Sequence, residues 1–305
     1  MAAQLWVIGS GKGGVGKTFI TSSLGITLSK LDKKVLLIDL DFGGANLHTS
    51  IGKNFSETTL GDYWAGSKSL KECFLDTHIP RLTYVQGHWD QWTPVALNLE
   101  NVRKLIRDSR ELPFDIVIFD LGPGASEFHL ELFHQADEKF LVVSPEPTAI
   151  EKTYRFMESF IMWTLKENAT PDAYARMLKA LGEYRSKHSV GAFSFRDHLA
   201  EAVGFHFDYF SGLDQKPVRV IVNQARSQQD RDLGYSIQSV CRKFYDMPMS
   251  YLGWIDYDNA VWQSVRLRTP VLIDKPFTPL AGQFLTMSKE LIQNNFVSNF
   301  LRAVV

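Results

Sequence analysis

Gly11-Lys12-Gly13-Gly14-Val15-Gly16-Lys17-Thr18 is the stretch whose reading decides the fold. A glycine, four residues, then Gly-Lys-Thr is the spacing of a loop that cradles phosphate. Glycines let backbone N–H groups turn inward, where side chains would block an oxyanion. Lys17 has the reach for β- and γ-phosphates, and the Thr18 hydroxyl can ligate Mg²⁺. Phe19 follows directly and is counted with the loop. The flanks agree with this reading. Leu5-Trp6-Val7-Ile8 is a short apolar run that reads as a buried strand, and Ile20, Leu24, Leu28 and Leu31 line one face of a helix over 18–31. Strand, glycine loop and helix N-terminus together make an anion site.

Working outward, Val35-Leu36-Leu37-Ile38 reads as a second strand that delivers Asp39 and Asp41 at its C-terminal end, where ligands sit in open α/β sheets. Residues two apart share a strand face, so both carboxylates are expected to point at the loop. Phe114-Asp115-Ile116-Val117-Ile118-Phe119-Asp120 is a buried central strand ending in an acid. Gly122 and Gly124 follow it, and a glycine such as Gly124 lets a backbone N–H approach the γ-phosphate. Further strands are expected at 82–85, 140–143 and 218–222, and helices at 97–110, 148–165 and 172–186.

Lys12 is not required by a plain phosphate loop. Lys12-Gly13-Gly14-Val15-Gly16-Lys17-Thr18 resembles the deviant Walker A loop of the MinD/ParA family of ATPases. The order loop, paired aspartates, strand-then-Asp120 is similar to that family throughout. The resemblance implies a P-loop NTPase of the α/β class: a mostly parallel central sheet with helices on both faces. It implies ATP/ADP and Mg²⁺ as ligands, and an ATP-dependent homodimer in which Lys12 reaches the partner's phosphates. Lys12, Lys17 and Asp41 would be the catalytic residues, with Asp41 positioning or activating the attacking water. Thr18, Asp39 and Asp120 would serve the metal. Asn223, ending the strand at 218–222, matches the position that hydrogen-bonds adenine, and an amide offers that base both a donor and an acceptor. Leu252-Gly253-Trp254-Ile255-Asp256 resembles the stretch whose backbone lies near the base, with Asp256 where the family usually has proline.

Asp41-Phe42-Gly43, followed by Asn46-Leu47, departs from the Asp-Pro-Gln of DNA-partitioning relatives. It looks like the MinD branch and its relative that controls flagellar number and placement. The expected function is therefore a hydrolysing switch that positions a cellular structure such as polar flagella or the division machinery. The alternative is a DNA-binding partition ATPase, for which Arg226, Arg231, Arg242, Lys243, Arg266 and Arg268 are the candidate nucleic-acid contacts. An iron–sulfur carrier is disfavoured because Cys73 and Cys241 fall in segments that do not match the paired cysteines of such relatives.

One domain over 1–305 is expected, with an insertion at about 166–216 that is rich in aromatics, among them Phe193, Phe195, Phe205, Phe207, Tyr209 and Phe210. A helix near 195–203 and a short strand at 205–209 are expected within it, and it is a candidate docking place for a protein partner or activator. Trp89 and Trp92 anchor a polar loop at 88–92. The final helix, from Pro279, repeats Ile292, Phe296, Phe300 and Val304, but Lys289 and Arg302 are its sole cations. Surface-bound helices carry more positive charge than that, so docking on the core or on a dimer partner is expected in preference to a membrane surface. Composition adds bounds. Net charge is −1, from 33 basic and 34 acidic residues, so bulk attraction to nucleic acid is not expected. Two separated cysteines and a first strand almost at Met1 fit a cytoplasmic protein, peripheral at a membrane or pole if at all.

Overall fold

The computed structural model describes residues 2–42, 44–87, 98–187, 199, 201 and 217–304, with backbone alone for 184–187 and 294–304. Eight strands form one sheet: β1 (Gln4–Gly9), β2 (Val35–Leu40), β3 (Leu75–Asp76), β4 (Leu82–Val85), β5 (Ile116–Leu121), β6 (Glu138–Val143), β7 (Val218–Ala225) and β8 (Met249–Asp256). Their order is β3-β4-β2-β5-β1-β6-β7-β8. Every neighbouring pair is parallel except β3 and β4 at the edge. Strands covered on both faces read as unbroken apolar runs, and β1, β2, β5 and β6 are buried along nearly their whole length.

The covering helices are α1 (Lys17–Lys30), α2 (Leu47–Ser50), α3 (Leu60–Trp64), α4 (Leu99–Arg110), α5 (Glu127–Gln135), α6 (Pro147–Asn168), α7 (Pro171–Lys187), α8 (Gln228–Tyr245), α9 (Asn259–Leu267), α10 (Val271–Asp274) and α11 (Pro279–Val304). α1 is buried almost all round, Ile20, Leu24, Ile26 and Leu28 each at no more than 1% exposure, so it is a core helix over the sheet. The first half of α11 docks through Leu280, Phe284, Met287 and Leu291, all buried, and packs on α1 and β8. That is the expected core docking. The face carrying Phe296, Phe300 and Val304 lies outside the described side chains. No helix among the described residues is long and apolar enough to cross a membrane.

Among the described residues the expected strands are present: β1, β2 and β6 are two residues longer than read, β7 three longer, β4 as read, and β5 begins two residues later. β3, β8, α2, α5, α8, α9 and α10 were not foreseen as elements. α7 fills the first part of the 166–216 stretch and lies against α6. The aromatic-rich remainder, with its expected helix and strand, lies outside the described residues, as do Trp89 and Trp92.

Sheet order places the site. β1 runs between β5 and β6, and its C-terminal end feeds the glycine loop into α1. Asp39 on β2 and Asp120 on β5 are register partners, and Asp120 in turn pairs with Ile8 on β1. Two carboxylates and the loop therefore converge at the C-terminal end of three central strands.

Candidate functional site

The loop closes onto α1 through glycine. Gly16 caps the helix at φ 90°, a left-handed conformation that costs an L side chain about 1–2 kcal/mol. Gly11 is excluded from substitution for a different reason: a Cβ there would fall 2.1 Å from the Lys152 carbonyl oxygen of α6. Lys17 is 6% exposed, and its Nζ donates to Ser10 Oγ at 3.0 Å. Burial pushes its pKa down, while the charges of Asp120 and Asp41 hold it up. Ser10 in turn donates to the Lys12 carbonyl at 2.7 Å, fixing the loop's first turn.

Asp39 spends both oxygens on backbone. Oδ1 accepts from Asp41 N at 3.1 Å and Oδ2 from Leu47 N at 3.0 Å, so it holds the loop after β2 closed. Thr21, one turn along α1 from Thr18, donates to Asp120 Oδ1 at 2.8 Å. Asp120 Oδ2 is buried with no hydrogen-bond partner among the described residues. Burial first, and the neighbouring carboxylates second, push the pKa of Asp39 up. Burial likewise pushes Asp120 up, against the Thr18 and Thr21 hydroxyls. Two buried carboxylates on adjacent strands resist joint ionisation unless a cation joins them.

That arrangement fits a divalent cation. The orphaned Asp120 oxygen and the Thr18 hydroxyl beside it are hard oxygen donors of the kind Mg²⁺ takes. No three His, Cys, Asp or Glu side chains among the described residues converge as a ready metal cage. A metal that completes its shell with phosphate and water needs no such cage. Asp39 would act here through the loop it holds.

Asp41 lies beyond the end of β2, not within it as the alternation had implied. It is half-buried, its pKa raised by burial and lowered by Lys17. Gly122 gives it room, since a Cβ there would stand 2.9 Å from Asp41 Oδ1. Lys12 points away from Lys17 and pairs with Glu146, with Thr148 Oγ1 at 3.0 Å. Gly124 has φ 98°, but its N–H already donates to the Ser10 carbonyl at 3.0 Å. The expected N–H toward a γ-phosphate is therefore not on offer in this conformation.

The base-site residues are also partly committed. Asn223 is buried, and its Nδ2 donates to the Val15 carbonyl at 2.7 Å. Next to it Gln224, at φ 64°, donates to the Gly14 carbonyl at 3.3 Å. These two amides brace the phosphate loop from β7, a role the sequence reading missed. Ile255 is fully buried and paired with Asn223 across β7 and β8, so neither its side chain nor its backbone is open to a base in this conformation. Asp256 accepts from Arg231 Nε at 3.0 Å and from Gln283 Nε2 at 2.9 Å, which explains how a charged residue sits where proline was expected. The Phe19 ring packs edge-on against Phe284 at 5.5 Å, so its contribution to the loop is its backbone. Ser10, Thr21, Gln224 and Glu146 escaped notice in the sequence. Thr21 alone had a signal, its i,i+3 spacing from Thr18.

A family profile described as the CobQ/CobB/MinD/ParA nucleotide binding domain matches residues 6–271. The septum site-determining protein MinD of Synechocystis sp. is 32% identical over 154 residues, covering 50% of this chain and 57% of that protein. The chain thus matches little more than half the length of that relative. Antiactivator FleN of Pseudomonas aeruginosa is 27% identical over 271 residues, covering 88% of this chain and 79% of that protein. Among solved structures, the septum site-determining protein MinD of Pyrococcus horikoshii OT3, complexed with Mg-ADP, superposes with a TM-score of 0.64 at 21% identity, covering 95% and 96% of the two chains.

Proposed function

Because the chain belongs to the CobQ/CobB/MinD/ParA nucleotide-binding family, we propose that it is a Mg²⁺-dependent ATPase switch of the MinD/FleN type. ATP binding favours a homodimer that docks a partner, and hydrolysis to ADP and phosphate releases it. The observation that carries this reading is the buried Lys17 at the mouth of the glycine loop, facing the charges of Asp120 and Asp41, with one Asp120 oxygen buried and without a hydrogen-bond partner among the described residues. That oxygen is the place the site leaves for a metal ion. Bound Mg²⁺ would supply charge neutralisation for the β- and γ-phosphates.

The chain's own residues do the rest. Backbone N–H groups of the loop and Lys17 hold the phosphates. Asp41, held near the charge of Lys17 and given space by Gly122, orients the attacking water. Asp39 keeps that loop in place. Lys12 must leave Glu146 before it can reach phosphates in a second copy. Adenine would be met by the Asn223 carbonyl oxygen and the backbone at Asp256, and by the backbone at Ile255 only in another conformation.

The MinD and FleN relatives support a role in placing a cellular structure, and the Asp41-Phe42-Gly43 signature favours the MinD branch with its flagellar relative over DNA partitioning. Of the candidate DNA-contacting cations, Arg231 is spent on Asp256, whereas Arg226, Arg242, Lys243, Arg266 and Arg268 are exposed, so salt-sensitive binding to nonspecific DNA in ATP is the observation that would favour the alternative. We place the protein in the cytoplasm as one unit over 1–305, with the 166–216 stretch as the partner-docking part. Phosphate release measured with ATP and Mg²⁺ tests the reading. Wild type turns over, and Asp41→Ala binds ATP without hydrolysing it; wild-type turnover by Asp41→Ala sinks the assignment.

A further inference from the structure

Asp41 stands past the last hydrogen bond of β2, in a loop that holds Gly43 and Gly44. Its backbone is tied by the Asp39 carboxylate and by a turn from Gly44 N to the Asp41 carbonyl at 3.1 Å. The next side chain supplies a longer-range anchor. The Phe42 ring lies 5.0 Å from Trp64 and 5.1 Å from Phe128, and those two rings lie 6.5 Å apart. Tilted and edge-on contacts at such distances are the favoured geometry of aromatic pairs.

Each flanking ring is itself fixed. Trp64 ends α3, which a Thr59–Asp62 capping box secures. Phe128 is 7% exposed on α5, whose Ser126 cap accepts from His129 N at 3.3 Å. His129 Nδ1 lies 3.2 Å from the Gly124 carbonyl oxygen. The Phe42 ring therefore joins the loop bearing Asp41 to the helix that follows Gly122-Pro123-Gly124.

We infer that Phe42 is a positioning residue for the proposed hydrolysis: wedged between Trp64 and Phe128, it seats Asp41 against Gly122. This role rests on the hydrolysis reading above. It acts through Asp41, so it governs the chemical step and leaves ground-state nucleotide binding nearly alone.

The test is steady-state ATP hydrolysis together with fluorescent-ATP titration on wild type, Phe42→Ala, Phe42→Leu, Phe42→Tyr, Asp41→Ala and the Phe42→Ala/Asp41→Ala pair. Phe42→Ala is expected to lower kcat roughly ten- to hundredfold, the scale for a displaced catalytic group. The number of nucleotide sites per chain stays at the wild-type value, which shows the variant folded. Phe42→Tyr restores kcat, and Phe42→Leu, which keeps bulk without a ring, falls between. Added to Asp41→Ala, which already removes turnover, Phe42→Ala leaves ATP affinity at the Asp41→Ala value, because the ring acts through a carboxylate already absent. Wild-type kcat in Phe42→Ala and Phe42→Leu, or a large further loss of ATP affinity in the pair, overturns this role and leaves the hydrolysis reading standing. A wild-type protein that binds ATP and never releases phosphate overturns both.

Discussion

Replacing Asn223 by alanine separates two jobs open to one amide. Asn223 is 3% exposed and its Nδ2 sits 2.7 Å from the Val15 carbonyl oxygen, inside the loop that would grip phosphate. It also packs closely on Gly16, since a Cβ there would fall 2.2 Å from Nδ2. Alanine leaves the Val15 carbonyl without this partner, at a cost of about 1–3 kcal/mol. If the loop must recover that geometry to bind, affinity falls about 5- to 150-fold. The loss falls on the phosphate grip, so it is indifferent to the base. Displacement of a fluorescent ADP by ADP and by inorganic tripolyphosphate reads this directly, and both competitors are expected to weaken by a similar factor. An Asn223→Ala protein that weakens ADP yet binds tripolyphosphate as wild type does would show that the side chain reads the base and that bracing the loop is incidental.

Gly11→Ala is expected to reduce ADP affinity more than Gly14→Ala. The first drives a Cβ into the Lys152 carbonyl oxygen, while the second meets no atom within 4 Å and costs only the left-handed backbone at φ 80°, about 1–2 kcal/mol. Asp120→Asn removes one of two mutually repelling buried carboxylates. We expect the metal-free protein to melt about 1–2 °C higher per kcal/mol relieved, with the Mg²⁺-dependent tightening of ADP lost in the same variant. His129 gives the pH prediction. Burial depresses it from 6.5 to about 4, so it stays neutral in the folded chain while the unfolded chain takes up a proton. Its contribution to stability is complete above pH 6.5 and is lost as pH falls toward 4. By pH 5 the loss is about 2 kcal/mol. Denaturant melts at pH 8 and pH 5 should therefore show a smaller difference for His129→Gln than for wild type.

Much of this was legible because the decisive signals are local. Val35-Leu36-Leu37-Ile38 and Ile116-Val117-Ile118-Phe119 are apolar on both faces, so burial in a parallel sheet follows from composition alone. The glycine loop announces its backbone by residue type, and Gly16 adopts the left-handed φ that only such a sequence suits. What escaped is non-local. Asp41 was placed in a strand by alternation, but β2 ends at Leu40 and the Asp39 carboxylate turns the chain there. The bond from Asn223 to the loop went unseen because its acceptor, the Val15 carbonyl, lies 208 positions away in sequence. The same holds for Asp256, whose two partners come from α8 and α11. α5 went unseen because its apolar residues, Phe128, Leu130, Leu132 and Phe133, are interleaved with the buried His129 and Glu131 and so show no clean stripe. Phe42 was noticed for what it replaces in related sequences; its contacts with Trp64 and Phe128 could be seen only once three separate segments were folded together.

The central claim is that nucleotide triphosphate joins two copies of this chain. Sedimentation of the Asp41→Ala protein with Mg²⁺ and either ATP or ADP tests it most directly. Twice the 34.7 kDa chain mass with ATP, and the single-chain mass with ADP, is the predicted result. A single-chain mass under both nucleotides, at concentrations that saturate binding, would contradict it.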